Sequence, residues 1–254
     1  AFAIELPRSA EALVRLVDER TASLQQAVTQ MQEFSYSVSH DLRAPVRAMR
    51  GYAEAVLEDY GARLDDEGRR LLARIVASGA RMDRLIQDLL TYSRLSRREV
   101  SLEPVSLEKL VREVIQQYPD MRPERADIEV VAPLPDVIGH EPSLTQAVSN
   151  LLSNAVKFVP PKARPRVRIA FEKYSPLRGR LLFEDNGIGI KPEHQSRLFG
   201  LFERVHPERD YEGTGVGLAI VRKAVERMNG SVGVQSDGVT GSRFWIELAL
   251  APDA

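Results

Sequence analysis

The stretch QAVSNLLSNAVKF, residues 146–158, forms a helix with two unlike faces and anchors the fold of the second half of the chain. Asn150, Asn154 and Lys157 share one face because they lie four and three residues apart. The other side is apolar and carries Leu151, Leu152, Ala155 and Phe158. Asparagine carbonyl oxygens suit Mg²⁺, and a lysine beside them suits phosphate groups. A solvated polar face on an ordinary amphipathic helix is the alternative interpretation.

Two glycine motifs follow this helix in the sequence. DNGIGI, residues 185–190, comes directly after an apolar strand, and an acid at a strand end can accept a hydrogen bond from an exocyclic amine. An ordinary tight turn is the alternative there, since Asn-Gly is a common turn pair. GTGVGL, residues 213–218, opens a helix, so its backbone amides and the helix dipole predict an anion-binding cradle. This motif is neither a P-loop nor a dinucleotide fingerprint.

The first 95 residues are dominated by apolar repeats of four and three. Residues 10–59 predict one long helix, with a coiled-coil seam from Leu13 to Val38 that leads into SHDLRAP at residues 39–45. Residues 65–95 predict a second helix, with a seam made of Leu71, Ile75, Ser78, Met82, Leu85, Leu89 and Tyr92. Two such seams indicate a dimer that closes into a four-helix bundle. A hairpin capped by the next domain of the same chain is the alternative.

Shorter elements follow a boundary placed near residues 96–104. Helices are expected at residues 107–118, with Ser106 as N-cap, and at 141–158, 194–202 and 215–228. Strands are expected at residues 128–131, 137–138, 231–236 and 243–250, with a hairpin of strands at 167–174 and 180–184. Helices and strands mix without strict alternation, which predicts an α/β sandwich rather than a doubly wound parallel sheet.

Composition narrows the function classes. The 254 residues carry 35 basic and 36 acidic side chains, for a net charge of −1, so bulk charge predicts no nucleic-acid partner. There are no cysteines, which excludes disulfides, thiolate metal sites and a cysteine nucleophile, and fits a cytoplasmic segment. No apolar run approaches the ~20 residues that span a bilayer. The chain starts without Met, so we expect a sensor part upstream in the same polypeptide.

Together these motifs resemble the nucleotide site of histidine kinases and of related ATPases, which include type II topoisomerases and mismatch-repair ATPases. Residues 146–158 resemble the N box, residues 185–190 the G1 box, and residues 213–218 the G2 box. LFGLFE at residues 198–203 resembles the F box, and SHDLRAP resembles the H box in wording closest to phytochrome-like kinases. The resemblance spans residues 34–247 and is most consistent with a sensor histidine kinase core of a two-component system.

The resemblance implies a role for each matching position. His40 is the implied phosphoacceptor and Asp41 its acid partner, although a lone helical histidine is more often structural. Asn154, assisted by Asn150, would hold Mg²⁺, and Asp185 would accept from the adenine amino group. ATP contacts are implied at Asn150, Asn154, Lys157, Phe158, Asp185, Gly187, Gly189, Phe199, Phe202, Gly213, Thr214, Gly215, Gly217 and Leu218. Residues 192–212 would form a lid, in which Arg204 either reaches the γ-phosphate or serves only at the surface.

The implied domains are a coiled-coil linker at residues 1–34, a dimerisation and histidine phosphotransfer domain at 35–98, and an ATP-binding domain at 99–254. The implied partners are a second copy of the chain and the receiver domain of a response regulator. Ala44 departs from the family, where Thr or Asn commonly supports dephosphorylation of the partner, so we expect weak phosphatase activity. Two alternatives stay open: an ATP-dependent conformational machine or protein-serine kinase of the same nucleotide fold, and a non-catalytic dimeric scaffold.

Overall fold

The computed structural model describes residues 13, 15–16, 19–20, 41–97, 100–205, 211 and 213–252, and the chain divides into two compact units, Ala1–Ser93 and Arg94–Ala254. His40 and most of the predicted coiled-coil seam lie outside the described residues. No helix within the described ranges is both long enough and apolar enough to cross a membrane.

The first unit contains an antiparallel helical hairpin. Helix α1 is helical over residues 41–60 and helix α2 spans Asp66–Arg97. Val46 packs with Ile86 and Leu90 in a small buried cluster, and nearer the connection a Cβ on Gly79 would lie only 3.1 Å from Cβ of Arg50. Residues later in α1 contact residues earlier in α2, so the two helices run in opposite directions.

The connection between the two helices is fixed by local hydrogen bonds. A 3-10 turn at Gly61–Arg63 follows α1. Asp65 Oδ1 then accepts from the backbone N–H of Gly68 at 2.7 Å, which satisfies one of the free donors at the start of α2. The guanidinium of Arg69 donates to the carbonyls of Gly61 and Leu64 at 2.9 and 2.6 Å. Within the described residues, the two predicted helices therefore form a hairpin in one chain, with a short and defined turn.

Helix α2 carries two neighbouring stripes of residues, and the hairpin covers only one of them. The stripe that faces α1 is partly or fully buried and consists of Leu72, Val76, Gly79, Asp83, Ile86, Leu90 and Ser93. The predicted seam lies one residue away, and its first apolar members stay exposed: Leu71 is 47% exposed, Ile75 49% and Met82 40%. Within one chain, the hairpin therefore leaves the first part of that seam, at Leu71, Ile75 and Met82, uncovered.

The second unit is a two-layer α/β sandwich, as predicted. Its sheet contains β1 Glu103–Ser106, β2 Asp127–Val130, β3 Asp136–Gly139, β4 Arg166–Lys173, β5 Arg178–Asp185, β6 Ser231–Gln235 and β7 Ser242–Leu250. The strand order is β1-β3-β7-β5-β4-β2, with β6 also pairing with β7. Only β2 and β4 pair in parallel, which excludes a doubly wound sheet.

Three helices pack on one face of this sheet: α3 Leu107–Gln117, α4 Glu141–Lys157 and α6 Gly217–Glu226. Their apolar sides meet the inward residues of the strands in one core that includes Leu144, Leu151, Phe183, Val221 and Ile246. The opposite sheet face carries charged side chains, and there the guanidinium of Arg180 lies 4.2 Å from the ring of Trp245. The sandwich places the carboxyl end of β5 beside the carboxyl end of α4, and α4 lies beside the start of α6.

Two expectations for this unit are corrected. The helix predicted at residues 194–202 is only Pro192–Gln195, which we label α5, and turns follow it. Gly200 has low helix propensity, and Phe202 has a φ of 60°, outside the right-handed helical range. Strand β1 was not expected because Pro104 interrupts it, but β1 lies at the sheet edge, where a missing N–H donor is tolerated.

Candidate functional site

A cavity opens where α4, the loop after β5 and the start of α6 meet. Asp185, the last residue of β5, lies at one end of it. Its Oδ1 accepts hydrogen bonds from the backbone N–H groups of Gly187 at 2.8 Å and Ser242 at 3.1 Å. Burial raises the pKa of this carboxyl to about 6, against the lowering effect of the two backbone donors. The described residues give Oδ2 no hydrogen-bond partner, so it can accept from a ligand.

The carboxyl end of α4 supplies a second wall of the cavity. Asn154, Lys157 and Phe158 all line it; the helical spacing placed the first two on one face, and the family resemblance implied Phe158. The Lys157 ammonium lies 4.1 Å from the centre of the Phe158 ring. Asn150 is one turn earlier and is not among the lining residues; its Nδ2 donates to the carbonyl of Gln146 at 2.8 Å. Two of the three residues of the predicted polar face, Asn154 and Lys157, therefore reach the cavity, together with Phe158 from the predicted apolar side.

The glycine motif before α6 supplies a third part of the cavity wall. Gly213, Gly215, Gly217 and Leu218 line the cavity. Gly215 has a φ of 74°, and a Cβ there would lie 3.0 Å from the Phe202 carbonyl carbon, so a side chain would be strained and crowded. A Cβ on Gly217 would lie 2.9 Å from Oδ1 of Asn150. Asn150 therefore packs against the glycine motif even though it does not line the cavity.

Part of the cavity wall is apolar. Gly189 lines the cavity, and so do the apolar side chains of Ile188, Ile190, Leu198, Val205 and Phe244. Besides Asn150, four further predicted contacts, at Gly187, Phe199, Phe202 and Thr214, are not among the described lining residues. Phe199 instead packs edge-on against Phe244, with ring centroids 6.4 Å apart, and Phe202 is exposed.

The two implied catalytic residues belong to the hairpin unit. Asp41 is exposed in the first described turn of α1, and His40 immediately before it is outside the described residues. Ala44 is exposed on the same helix.

Sequence reasoning missed several lining residues, of which Tyr211 and Ser242 are the most informative. Tyr211 packs against Phe158, with ring centroids 5.3 Å apart, and its hydroxyl donates to the carbonyl of Val159 at 2.9 Å. The only signal was an aromatic residue two positions before the glycine motif. Ser242 acts through its backbone N–H, so its side-chain type carried no signal.

The donor set suits a nucleotide with a divalent cation. A carboxylate, several apolar side chains, and an ammonium group beside a glycine-rich helix start all line the one cavity. Asn154 offers a hard carbonyl oxygen near the ammonium, which fits Mg²⁺ when phosphates and water complete its shell. Within the described ranges, no group of three or more His, Asp or Glu side chains forms a self-sufficient metal site.

Comparison with known families assigns both units. Residues 139–252 match the histidine kinase-, DNA gyrase B- and HSP90-like ATPase family. Residues 30–98 match the His Kinase A phospho-acceptor domain, whose range includes His40 and the hairpin.

Individual relatives agree with this assignment. Cyanobacterial phytochrome B of Nostoc sp. is 33% identical over 227 residues, which cover 89% of this chain and 30% of that protein. Sensor histidine kinase AruS of Pseudomonas aeruginosa is 34% identical over 257 residues, covering 94% of this chain and 25% of the relative. The chain thus spans about a third or less of the length of these relatives.

A solved structure of full-length ShkA in complex with AMPPNP superposes with a TM-score of 0.64 at 31% identity, covering 87% of this chain and 47% of ShkA. Both units therefore have counterparts in proteins of one kind, in the same order along the chain. The chain belongs to the sensor histidine kinases and comprises their phosphoacceptor and ATP-binding catalytic core.

Proposed function

We propose that this chain binds Mg-ATP in the cavity of the second unit, transfers the γ-phosphoryl group to His40, and passes it on to an aspartate of a response-regulator receiver domain. The observation that carries the proposal is that one cavity is lined by the Asp185 carboxyl, by apolar side chains, and by the Lys157 ammonium beside Gly213. These groups match the chemical groups of ATP, which has an amino-bearing base and an anionic tail.

The base fits beside Asp185. Its unused Oδ2 can accept from the exocyclic amino group of adenine, and a guanine would present a carbonyl oxygen there instead. Ile188, Ile190 and Phe244 supply apolar contacts for a flat ring. Because Asp185 is partly buried, a hydrogen bond made there competes less with bulk water than one at the surface does.

The phosphates fit at the glycine motif. A Cβ on Gly213 would lie 3.3 Å from Nζ of Lys157, so the ammonium and the backbone of the motif face the same space. The N-terminus of α6 begins at Gly217 and adds the positive end of its dipole. Asn154 would hold Mg²⁺, which supplies charge neutralisation at the phosphates when it is bound. Asn150, which packs against Gly217, would assist by holding the motif in place.

His40 would accept the phosphoryl group. A lone pair of its neutral imidazole forms the N–P bond while the bond from the γ-phosphorus to the β,γ-bridging oxygen breaks, and ADP leaves. Asp41 would hold the proton on the other ring nitrogen and stabilise the positive charge that develops there. Positioning and electrostatics would carry most of the rate enhancement.

The proposed assembly is a homodimer held by the helices before residue 96. The exposed seam of α2 and the exposed apolar residues of α1, Leu42, Met49, Tyr52 and Val56, support this, because a four-helix bundle would cover both. We retain the division into a linker at residues 1–34, a phosphotransfer domain at 35–98 and an ATP-binding domain at 99–254. We also propose a cytoplasmic location for this part and a sensor domain upstream in the same polypeptide.

The decisive experiment is to incubate the chain with Mg²⁺ and γ-labelled ATP and to test the stability of the protein-bound label. Label that is labile to acid and stable to base is expected, because phosphohistidine hydrolyses in acid. The variant His40→Gln should lose the label and bind ATP with unchanged affinity. Label retained in that variant would contradict the assignment of His40. ATP hydrolysis without label would favour a conformational machine, acid-stable label a serine kinase, and no binding a scaffold.

A further inference from the structure

Tyr211 lies in the wall of the cavity, and no motif assigns it a role. It follows the F box and precedes the glycine motif, and its ring faces Phe158 at a centroid distance of 5.3 Å and an interplanar angle of 47°. Phe158 itself lines the cavity and carries the Lys157 ammonium over its ring. Two aromatic side chains from distant parts of the sequence therefore meet at the mouth of the proposed nucleotide site.

Two separate contacts hold Tyr211 in this position. Its hydroxyl donates to the carbonyl of Val159 at 2.9 Å, in a partly buried setting. Its own carbonyl accepts from the guanidinium of Arg204 at 3.2 Å, and the same guanidinium donates to the carbonyl of Gly213 at 2.9 Å. The backbone and the side chain of Tyr211 are thus fixed by different partners.

The contact to Arg204 links Tyr211 to the glycine motif. A guanidinium presents its donors in a rigid fork, so one side chain sets the spacing between the carbonyls of Tyr211 and Gly213. Because the peptide unit is planar, fixing the Gly213 carbonyl also fixes the direction of the next N–H, that of Thr214. Arg204 lines the cavity as well, but these two bonds already give it a positioning task independent of any phosphate.

We propose that Tyr211 is a nucleotide-contacting residue that forms a second aromatic wall with Phe158, and that Arg204 is the positioning residue that holds it there. This inference rests on the proposed ATP site. An aromatic face contacts any nucleobase or ribose through its surface, so Tyr211 would add affinity without selecting adenine. Under this proposal Asp185 selects adenine, because its Oδ2 would accept a hydrogen bond from the amino group.

The test compares Mg-ATP binding by calorimetry in the His40→Gln background, where bound nucleotide cannot be consumed by phosphotransfer. Tyr211→Leu should weaken binding by roughly ten- to a hundredfold, since it removes the ring. Tyr211→Phe should weaken it by about two- to tenfold, since it removes one hydrogen bond. Tyr118→Leu is the matched control, because Tyr118 is an exposed tyrosine of the same unit that does not line the cavity, and it should bind like the parent.

A second measurement separates Tyr211 from Asp185. Inosine triphosphate carries a carbonyl where ATP has its amino group, so the ratio of the two affinities reports on Asp185. That ratio should stay unchanged in both Tyr211 variants and fall towards one in Asp185→Asn. Fluorescence of Trp245, the single tryptophan of the chain, checks that each variant is folded. Folded Tyr211→Leu that binds ATP as tightly as its parent, or more tightly, overturns the inference. Failure of the parent to bind ATP would instead overturn the proposed function.

Discussion

The backbone N–H of Ser242 donates a hydrogen bond of 3.1 Å to Oδ1 of Asp185, a residue 57 positions earlier. The two residues are opposite each other in the pairing of β5 with β7, so sheet register produces this contact. Together with the hydrogen bond from the N–H of Gly187, this bond engages Oδ1 and fixes the orientation of the carboxylate. The other oxygen is then aimed by the backbone, before any ligand binds.

Asp185→Asn should lose most nucleotide affinity while the fold stays intact. Asparagine keeps an oxygen for the N–H groups of Gly187 and Ser242, but it places an amide donor where the adenine amino group would donate. Two donors facing each other lose the hydrogen bond and leave a buried group unpaired, which costs on the order of a hundredfold in affinity. Calorimetry with Mg-ATP measures this. Equal binding by the variant and the wild type would remove Asp185 from the site.

The stability of the second unit should depend on pH through the same carboxyl. The folded pKa of Asp185 is raised from 3.8 to about 6, so the folded state holds its proton more tightly than the unfolded state does. The contribution of Asp185 to the free energy of unfolding is therefore fully present at acidic pH, and it is lost as pH rises towards and through about 6. The total is on the order of 3 kcal/mol, of which roughly 1–2 kcal/mol falls between about pH 5 and about pH 8.

Denaturant unfolding followed by Trp245 fluorescence checks this prediction, because Trp245 lies in β7 of the same unit. The free energy of unfolding of the wild type, minus that of Asp185→Asn, should decrease as pH rises over this range. A difference that is flat or increases with pH would contradict the raised pKa. Using the difference cancels the titration of all other groups that the two proteins share.

The uncovered seam of α2 should hold the dimer. Ile75→Glu places a charge on the exposed stripe, which single-chain packing does not use, and should weaken dimerisation by about tenfold to a hundredfold. Leu177→Glu is the control, because Leu177 is 74% exposed in the turn between β4 and β5, far along the sequence from the hairpin. Light scattering at micromolar concentration gives the masses. A wild-type monomer would refute the dimer itself.

Ala44 should make the chain a poor phosphatase towards its partner. Hydrolysis of a phosphoaspartate needs a water held in line with the phosphorus, and a methyl group offers no hydrogen bond to hold it. Losing one such bond costs on the order of a hundredfold in rate. The decay of phosphorylated receiver domain, followed with the chain and ADP, should therefore stay near its spontaneous rate. Ala44→Thr should accelerate it, whereas fast decay with the wild type, without return of phosphate to His40, would contradict the prediction.

Local sequence patterns anticipated much of the site. Asn154 and Lys157 reach the cavity because helical spacing puts them on one face of α4, and Asp185 lies at a strand end because the apolar run before it ends there. Glycines before an apolar helix likewise mark the start of α6. These features depend on residues within one or two turns of each other, which is the range over which periodicity carries information.

Contacts between distant segments could not be anticipated in this way. Tyr211 hydrogen-bonds to Val159, 52 positions away in the sequence, and Ser242 hydrogen-bonds to Asp185 through its backbone. Neither contact can be predicted from composition or residue spacing. The same holds for α2, where two apolar stripes differ by one residue. The sequence identified one stripe, and only the packing of α1 showed that the neighbouring stripe is the one buried within the chain.

Two segments that are distant in the sequence donate hydrogen bonds to main-chain carbonyls immediately after α4. The carbonyl of Phe158 accepts from the N–H of Ile188 at 2.9 Å, and the carbonyl of Val159 accepts from Tyr211. Every amino acid carries that carbonyl, so these two contacts restrict the length of the chain here and place no demand on the side chain at position 159. Exchange of Val159 for another residue of similar size leaves both bonds in place. A one-residue insertion directly after Lys157 would misplace both acceptors together. It would therefore also displace the loop at Ile188 and the aromatic pair of Phe158 and Tyr211.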